Sequence, residues 1–150
     1  MIFRKATEND LPDIVAMLAD DELGKTRENY QIPLPKLYID AFKKINADKN
    51  QELIVVENET KEVIGTLQLT YIQYLNRLGS LRAQIESVRI KKNHRGQGLG
   101  KNMFEWAINR AKEKKACILQ LTTDKKRPEA IKFYQSLGFT ASHEGMKMQF

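Results

Sequence analysis

A single cysteine, Cys117, in 150 residues leaves nothing for an internal disulfide to join. Its place in an apolar strand pattern gives it the character of a buried structural thiol rather than a nucleophile. The two histidines, His94 and His143, stand among turn and polar residues without the cysteine or carboxylate spacing of a metal site. No metal is expected. No apolar run is long enough to span a bilayer, and the opening Met1-Ile2-Phe3-Arg4-Lys5 lacks the form of a signal peptide. A cytoplasmic protein with no membrane partner is therefore expected. Repeats, low-complexity tracts and linkers are missing too, and 150 residues suit one domain over 1–150 with a sizeable core.

What the chain does have is the run Arg95-Gly96-Gln97-Gly98-Leu99-Gly100, with three glycines in five residues. Before it, Ile85-Glu86-Ser87-Val88-Arg89-Ile90 has the β-branched content and alternation of a half-buried strand, and Lys91-Lys92-Asn93-His94 breaks that pattern. After it, Met103, Trp106, Ala107 and Ala111 recur at helical spacing, with Lys101, Asn102, Glu105, Asn109 and Lys112 opposite. The glycines thus stand at a helix N-terminus, where converging N–H groups and the helix dipole suit an anion. A plain tight turn would also use glycine there, so context decides.

Two nucleotide fingerprints do not fit. A dinucleotide-binding turn needs Gly-x-Gly-x-x-Gly and an acidic residue at the end of the next strand, but the strand pattern Cys117-Ile118-Leu119-Gln120-Leu121 runs on into Thr122-Thr123 before any carboxylate. A Walker A loop needs Gly-Lys-Ser/Thr, and Asn102 stands where the hydroxyl should be.

The net charge of +6 and pI near 9.4 come from basic residues spread along the chain and interleaved with acids. That is the pattern of a solvated surface, and no aromatic-rich basic stripe for stacking bases accompanies it. Two basic clusters stand apart: Lys91-Lys92-Asn93-His94-Arg95, and Lys125-Lys126-Arg127.

Read as Arg-x-x-Gly-x-Gly, the residues Arg95, Gly98 and Gly100 resemble the acetyl-CoA pyrophosphate loop of the GNAT superfamily of N-acetyltransferases. Downstream, Ala130-Ile131-Lys132-Phe133-Tyr134-Gln135-Ser136-Leu137-Gly138-Phe139 is similar to the family's helix that carries Phe-Tyr and ends in Gly-Phe. One position departs: many members have Asn three residues before the helix alanine, and here Arg127 stands there, able to pair with a phosphate. The resemblance implies acetyl-CoA as acyl donor. It implies cofactor contacts from Val88, Arg89 and Ile90, from Arg95, Gly96, Gln97, Gly98, Leu99, Gly100 and Lys101, and from Arg127 and Tyr134. It also implies that the Val88 N–H polarises the thioester carbonyl, which requires the strand to splay near Ile90, as at a bulge.

The rest of the chain reads as a short strand from Ile2 to Ala6, a helix capped by Asn9-Asp10 through Leu18, and a second helix from Pro35 to Ile45. By the resemblance these helices frame the acceptor entrance. Strands follow at Glu52 to Glu57, Glu62 to Tyr74 and Leu81 to Ile90, as an antiparallel meander. The strand to Ile90, the helix after the glycines and the strand near Cys117 make a βαβ crossover, and Met146 to Phe150 reads as an edge strand. The expected fold class is α/β: a single-domain, mixed, mostly antiparallel sheet with helices on both faces and a central parallel βαβ crossover.

Transfer to a protonated amine requires a base, since a lysine-like amine has a pKa of about 10.4. Glu86 is the candidate, directly or through a water, with period two placing it on the face of Val88 and Ile90. A strand carboxylate paired with Arg82 or Arg89 is an equal reading. Tyr134 is the candidate acid for the departing thiolate; its apolar stripe with Ala130, Phe133 and Leu137 alone would read as core, and the Phe-Tyr match favours catalysis. Asp20, Asp21 and Glu22 follow the first helix and suit either a cationic substrate or a solvated loop, while Tyr30, Tyr71 and Tyr74 are candidate walls of the acceptor pocket. The sequence thus points to an N-acetyltransferase acting on a primary amine of a small molecule or peptide by direct transfer in a ternary complex, with a homodimer left open. Its competitors are a non-catalytic acyl-CoA-binding regulatory module and a basic nucleic-acid-binding domain.

Overall fold

Alternation along Leu53 to Val56 and Val63 to Tyr71 buries residues on both sides of the central strands, which therefore need cover on both faces. The computed structural model describes residues 1–21 and 24–150, in two compact units, Met1–Gln120 and Leu121–Phe150. In the first unit the elements run β1 (Ile2–Lys5), α1 (Leu11–Ala19), α2 (Lys36–Ala47), β2 (Gln51–Glu57), β3 (Val63–Gln73), α3 (Asn76–Gly79), β4 (Leu81–Ile90), α4 (Leu99–Glu113) and β5 (Ile118–Gln120). The five strands form one sheet in the order β1-β2-β3-β4-β5, antiparallel except for the parallel pair β4-β5 that α4 connects. Element α3 is a single turn whose Arg77 and Leu78 are left-handed, as suits the hairpin it closes.

The two faces are covered by different helices. Leu11, Ile14 and Met17 of α1 and Phe42 of α2 pack with Val55, and Leu53 joins them. On the other face Met103, Phe104, Ala107 and Ala111 bury the inner side of α4, and the Trp106 ring stacks on Phe3 of β1 with centroids 5.2 Å apart.

Helix α4 is also held by charge. Glu52 of β2 is 3% exposed and accepts hydrogen bonds from Arg110 Nη2 (2.6 Å), Arg110 Nε (2.9 Å) and the Tyr71 hydroxyl (3.1 Å). Burial acts to raise the Glu52 pKa, but the Arg110 hydrogen bonds and charge, the Tyr71 hydroxyl and Lys114 outweigh it and hold the carboxyl below its usual range. Removing one partner of such a pair strands a buried charge. Arg110→Ala is expected to cost about 2 kcal/mol at neutral pH, the buried-pair figure discounted because Arg110 is partly exposed. Because the folded pKa lies below the unfolded value of about 4.3, the pair's contribution is complete above that pH and fades as pH falls through the folded value. Urea unfolding of wild type and variant should therefore converge in acid, and a gap that persisted there would remove Glu52 as its cause.

In the second unit, α5 (Pro128–Ser136) ends in a turn in which Gly138 has φ +91°. The Gly138 N–H donates to the Gln135 carbonyl (3.0 Å) and the Phe139 N–H to the Tyr134 carbonyl (3.1 Å), a Schellman motif.

Two expectations are corrected. Residues 146–150 form no strand: Met146, Met148 and Phe150 are fully or largely exposed, because alternation gives a segment two faces but not a partner to pair with. Cys117 is exposed, in a bend ahead of β5, since the strand begins one residue later than the apolar pattern.

Candidate active site

The site is built from the end of β4 and the start of α4. Strand β4 pairs with β5 only over Arg82–Gln84, so from Ile85 to Ile90 it has no strand partner on that side among the described residues. On the other side Gln68 pairs with Glu86 and Thr66 with Arg89, so that Ser87 and Val88 together oppose Leu67. This is a β-bulge, and Ser87 takes the left-handed conformation with φ +54° to make it. Pairing with β5 stops at Gln84, and the bulge expected near Ile90 lies at Ser87 and Val88.

The bulge also changes which residues share a face. Glu86 and Arg89 oppose Gln68 and Thr66, which lie on the α1 and α2 face, whereas Ile90 opposes Gly65 on the α4 face. The period-two expectation that grouped Glu86 with Ile90 is therefore overturned by one inserted residue. Glu86 is exposed, and among the described residues no hydrogen bond or ion pair holds it. Neither arginine weighed as its partner takes that part. Arg82 lies over the Tyr74 ring, 4.3 Å from its centroid, and Arg89 donates to the Val88 carbonyl (2.9 Å) and to Asp21 Oδ2 (3.2 Å).

After β4 the chain makes a turn over Lys92–His94 and enters the glycine loop, where Gly96 has φ +76° and Gly98, the N-cap of α4, has φ +80°. These conformations are costly for residues with a Cβ. Among the described residues, no acceptor meets the backbone N–H groups of Gly96, Gln97, Gly98, Leu99, Gly100 or Lys101. Six consecutive free donors at a helix N-terminus are the arrangement that can hold an anion with several oxygens.

The basic residues beside the loop are arranged less simply than their sequence suggests. Lys91 Nζ lies 3.0 Å from Glu62 Oε1 and 3.2 Å from Asp13 Oδ1, and these carboxylates hold it above the usual ammonium range while it holds Glu62 below the usual carboxylate range. Arg95 donates through Nη2 to Asp20 Oδ2 (2.8 Å) and through Nε to the Ile90 carbonyl (3.0 Å). Asp20, which is exposed, and Asp21 are engaged by Arg95 and Arg89; Glu22 lies outside the described residues. Lys92 has no carboxylate partner among the described residues, and Lys101 reaches Glu105 only at 3.8 Å. A cavity of about 560 Å³ opens between α1 and the turn, lined by Asp13, Asp20, Lys91 and Lys92 among others.

The three candidate tyrosines separate. Tyr71 is buried on the α4 face with its hydroxyl on Glu52, and that burial, next to the Glu52 charge, pushes its pKa up. Tyr74 backs Arg82, and Tyr30 is exposed in the loop before α2. In the second unit, Arg127 is the N-cap of α5, and Tyr134 is half-buried with its ring 5.7 Å from Phe133 and edge-on to Phe139 at 6.2 Å. Lys125 is paired with Glu144 at 2.6 Å. Among the described residues no cluster of metal-ligating side chains occurs, and no helix is long and apolar enough to cross a membrane.

The network of Glu52, Tyr71 and Arg110 and the ties of Asp20 and Asp21 to β4 and the loop were not found from sequence. Their partners lie 19 to 75 residues apart, and no local spacing announces them.

Comparison with known proteins agrees with this geometry. The model of the Acetyltransferase (GNAT) family matches residues 15–139. An aminoalkylphosphonate N-acetyltransferase of Salmonella typhimurium is 28% identical over 141 residues, covering 93% of this chain and 85% of that protein. A crystal structure of a transcriptional regulator from Bacillus halodurans superposes with a TM-score of 0.95 at 55% identity, covering 99% of each chain. A putative acetyltransferase from Agrobacterium tumefaciens superposes with a TM-score of 0.80 at 22% identity over the whole of both chains, a likeness of fold.

Proposed function

The chain belongs to the GNAT acetyltransferase family, and on that footing we propose that residues 1–150 act as one acetyl-CoA-dependent N-acetyltransferase domain. The reaction moves an acetyl group to a primary amine in a ternary complex, without a covalent acyl-enzyme. The observation that carries the reading is the row of N–H groups from Gly96 to Lys101 that meet no acceptor among the described residues, directly after a bulged strand paired with β5 only as far as Gln84.

Acetyl-CoA, when bound, supplies the acetyl thioester. The Gly96-to-Lys101 amides hold its pyrophosphate, Lys92, Lys101 and Arg127 offset phosphate charge, and backbone groups of Val88, Arg89 and Ile90 align the pantetheine arm. The Val88 N–H polarises the thioester carbonyl. Glu86, exposed and without a partner among the described residues, takes the first proton from the protonated amine, directly or through a water. As the new N–C bond forms and the C–S bond breaks, the electron pair goes to sulfur, the Tyr134 hydroxyl supplies the proton that yields the thiol, and the second proton of the acetylated nitrogen returns to the Tyr134 phenolate, directly or through a water.

The test is calorimetric titration with acetyl-CoA followed by thiol release with a panel of amines. Micromolar binding and amine-dependent thiol release are expected. The regulatory description of the 55% identical relative favours a second reading, an acyl-CoA-binding module without turnover. Binding without thiol release from any amine would select it. Absence of binding, together with salt-dependent retention on nucleic acid, would replace both.

A further inference from the structure

Strand β4 carries three same-face side chains in succession, Arg82, Gln84 and Glu86, on the face that α1 and α2 only partly cover. At one end, the Glu86 carboxylate is exposed with no cation beside it among the described residues. At the other end is a guanidinium with the opposite deficiency. Arg4, Arg89, Arg95 and Arg110 each hold a carboxylate, but Arg82 has no ion pair among the described residues. Its Nε is buried and finds no hydrogen-bond acceptor among the described residues.

The Tyr74 ring accounts for one flat side of that guanidinium, at 4.3 Å. Stacking leaves the in-plane N–H fork unused, and the fork is the part of arginine shaped for a carboxylate or phosphate. The floor between the two charges is neutral and polar. Gln84 Oε1 accepts from Gln120 Nε2 (2.9 Å), and Gln68, opposite Glu86, donates to Gln51 (2.9 Å). Four residues of strand separate the Cα atoms of Arg82 and Glu86 by about 13 Å, an interval that the Glu86 side chain, a water relay and the acceptor fill together while Arg82 stays on Tyr74.

We infer that Arg82 recognises an anionic group of the acceptor, so that the acceptor is a small amine bearing a carboxylate or a phosphate, with its amine at Glu86 and its anion at the Arg82 fork. This rests on the N-acetyltransferase reading, and it adds the substrate class that reading leaves open. A single charge-assisted contact of this kind separates two acceptors roughly 10- to 100-fold.

The experiment measures acetyl-CoA-dependent thiol release, and acceptor binding to the protein–CoA complex, for two matched pairs. Phosphoethanolamine against ethanolamine tests phosphate, and β-alanine against β-alaninamide tests carboxylate. The expected result is that the anionic member of one pair is preferred at least about ten-fold in kcat/KM, and the pair that shows it identifies the group. Arg82→Gln should abolish the preference and Arg82→Lys should restore part of it, with acetyl-CoA affinity reporting that each variant is folded. A wild type that treats both pairs alike, or a preference that survives Arg82→Gln, overturns the inference while thiol release from neutral amines still supports the transferase. Failure of acetyl-CoA itself to bind removes the transferase reading and this inference with it.

Discussion

Tyr134→Phe is expected to lower kcat about 100-fold while leaving the affinity for acetyl-CoA and the stability of the protein nearly unchanged. The substitution deletes one oxygen. The ring that meets Phe139 edge-on remains, and so do the backbone hydrogen bonds that end α5, because these use the Tyr134 carbonyl rather than its side chain. The expected loss sits at the lower end of the range for general acid catalysis because a thiol of ordinary pKa, about 8.5, already leaves more readily than an amine would. Single-turnover kinetics should show the loss in the acetyl-transfer step. A variant with wild-type kcat would mean that water protonates the thiolate and that Tyr134 serves packing alone.

The second large effect is on the cofactor. Gly98→Trp should weaken acetyl-CoA binding by more than about 100-fold, the scale of losing two or more anion contacts at once. Nothing lies within 4 Å of the position a Cβ would take at Gly98, so the side chain has room in the protein. It would stand where the anion must approach. The backbone, at φ +80°, adds a cost of about 1 to 2 kcal/mol for any residue with a Cβ. Gly79 offers the control: it has φ +69°, equally open surroundings, and a place in the hairpin turn between β3 and β4. Gly79→Ala should lower the unfolding midpoint in a similar way and leave acetyl-CoA affinity alone. Equal losses of affinity in both variants would show that folding, and not access to the amides, was measured.

The strand, helix and glycine-loop elements were legible in the sequence because each follows from local rules. Leu81 to Ile90 was bounded correctly by turn residues on either side, and the inward face of α4 was read from Met103, Trp106, Ala107 and Ala111. Gly138-Phe139 was matched as a motif, and its physical content is the Schellman turn that folds Phe139 back onto Tyr134. What could not be read was set by tertiary pairing. Arg95 sits in a basic stretch that looks free, and Arg89 reads from sequence as a possible partner of Glu86, yet both are claimed by carboxylates at the end of α1. Tyr71 reads as a strand aromatic of either face, and only Glu52 and Arg110 decide which. Residues 146–150 have the alternation of a strand, but hydrogen-bond partners are a property of the sheet and not of the segment.

The extra residue at Ser87 and Val88 works as a phase shift within one strand. Up to Glu86, side-chain direction is dictated by the core beneath β3; beyond it, parity is inverted and answers to the end of α1. Deleting Ser87 would restore an even ladder with Arg89 still opposite Thr66, whereas pairing every residue evenly would set Arg89 opposite Gly65, toward the apolar underside of α4, so the bulge is what lets the strand carry an extra residue without moving Arg89. A relative one residue shorter at the bulge should therefore keep the tie of Arg89 to the end of α1, and one of equal length that pairs without a bulge should lose it.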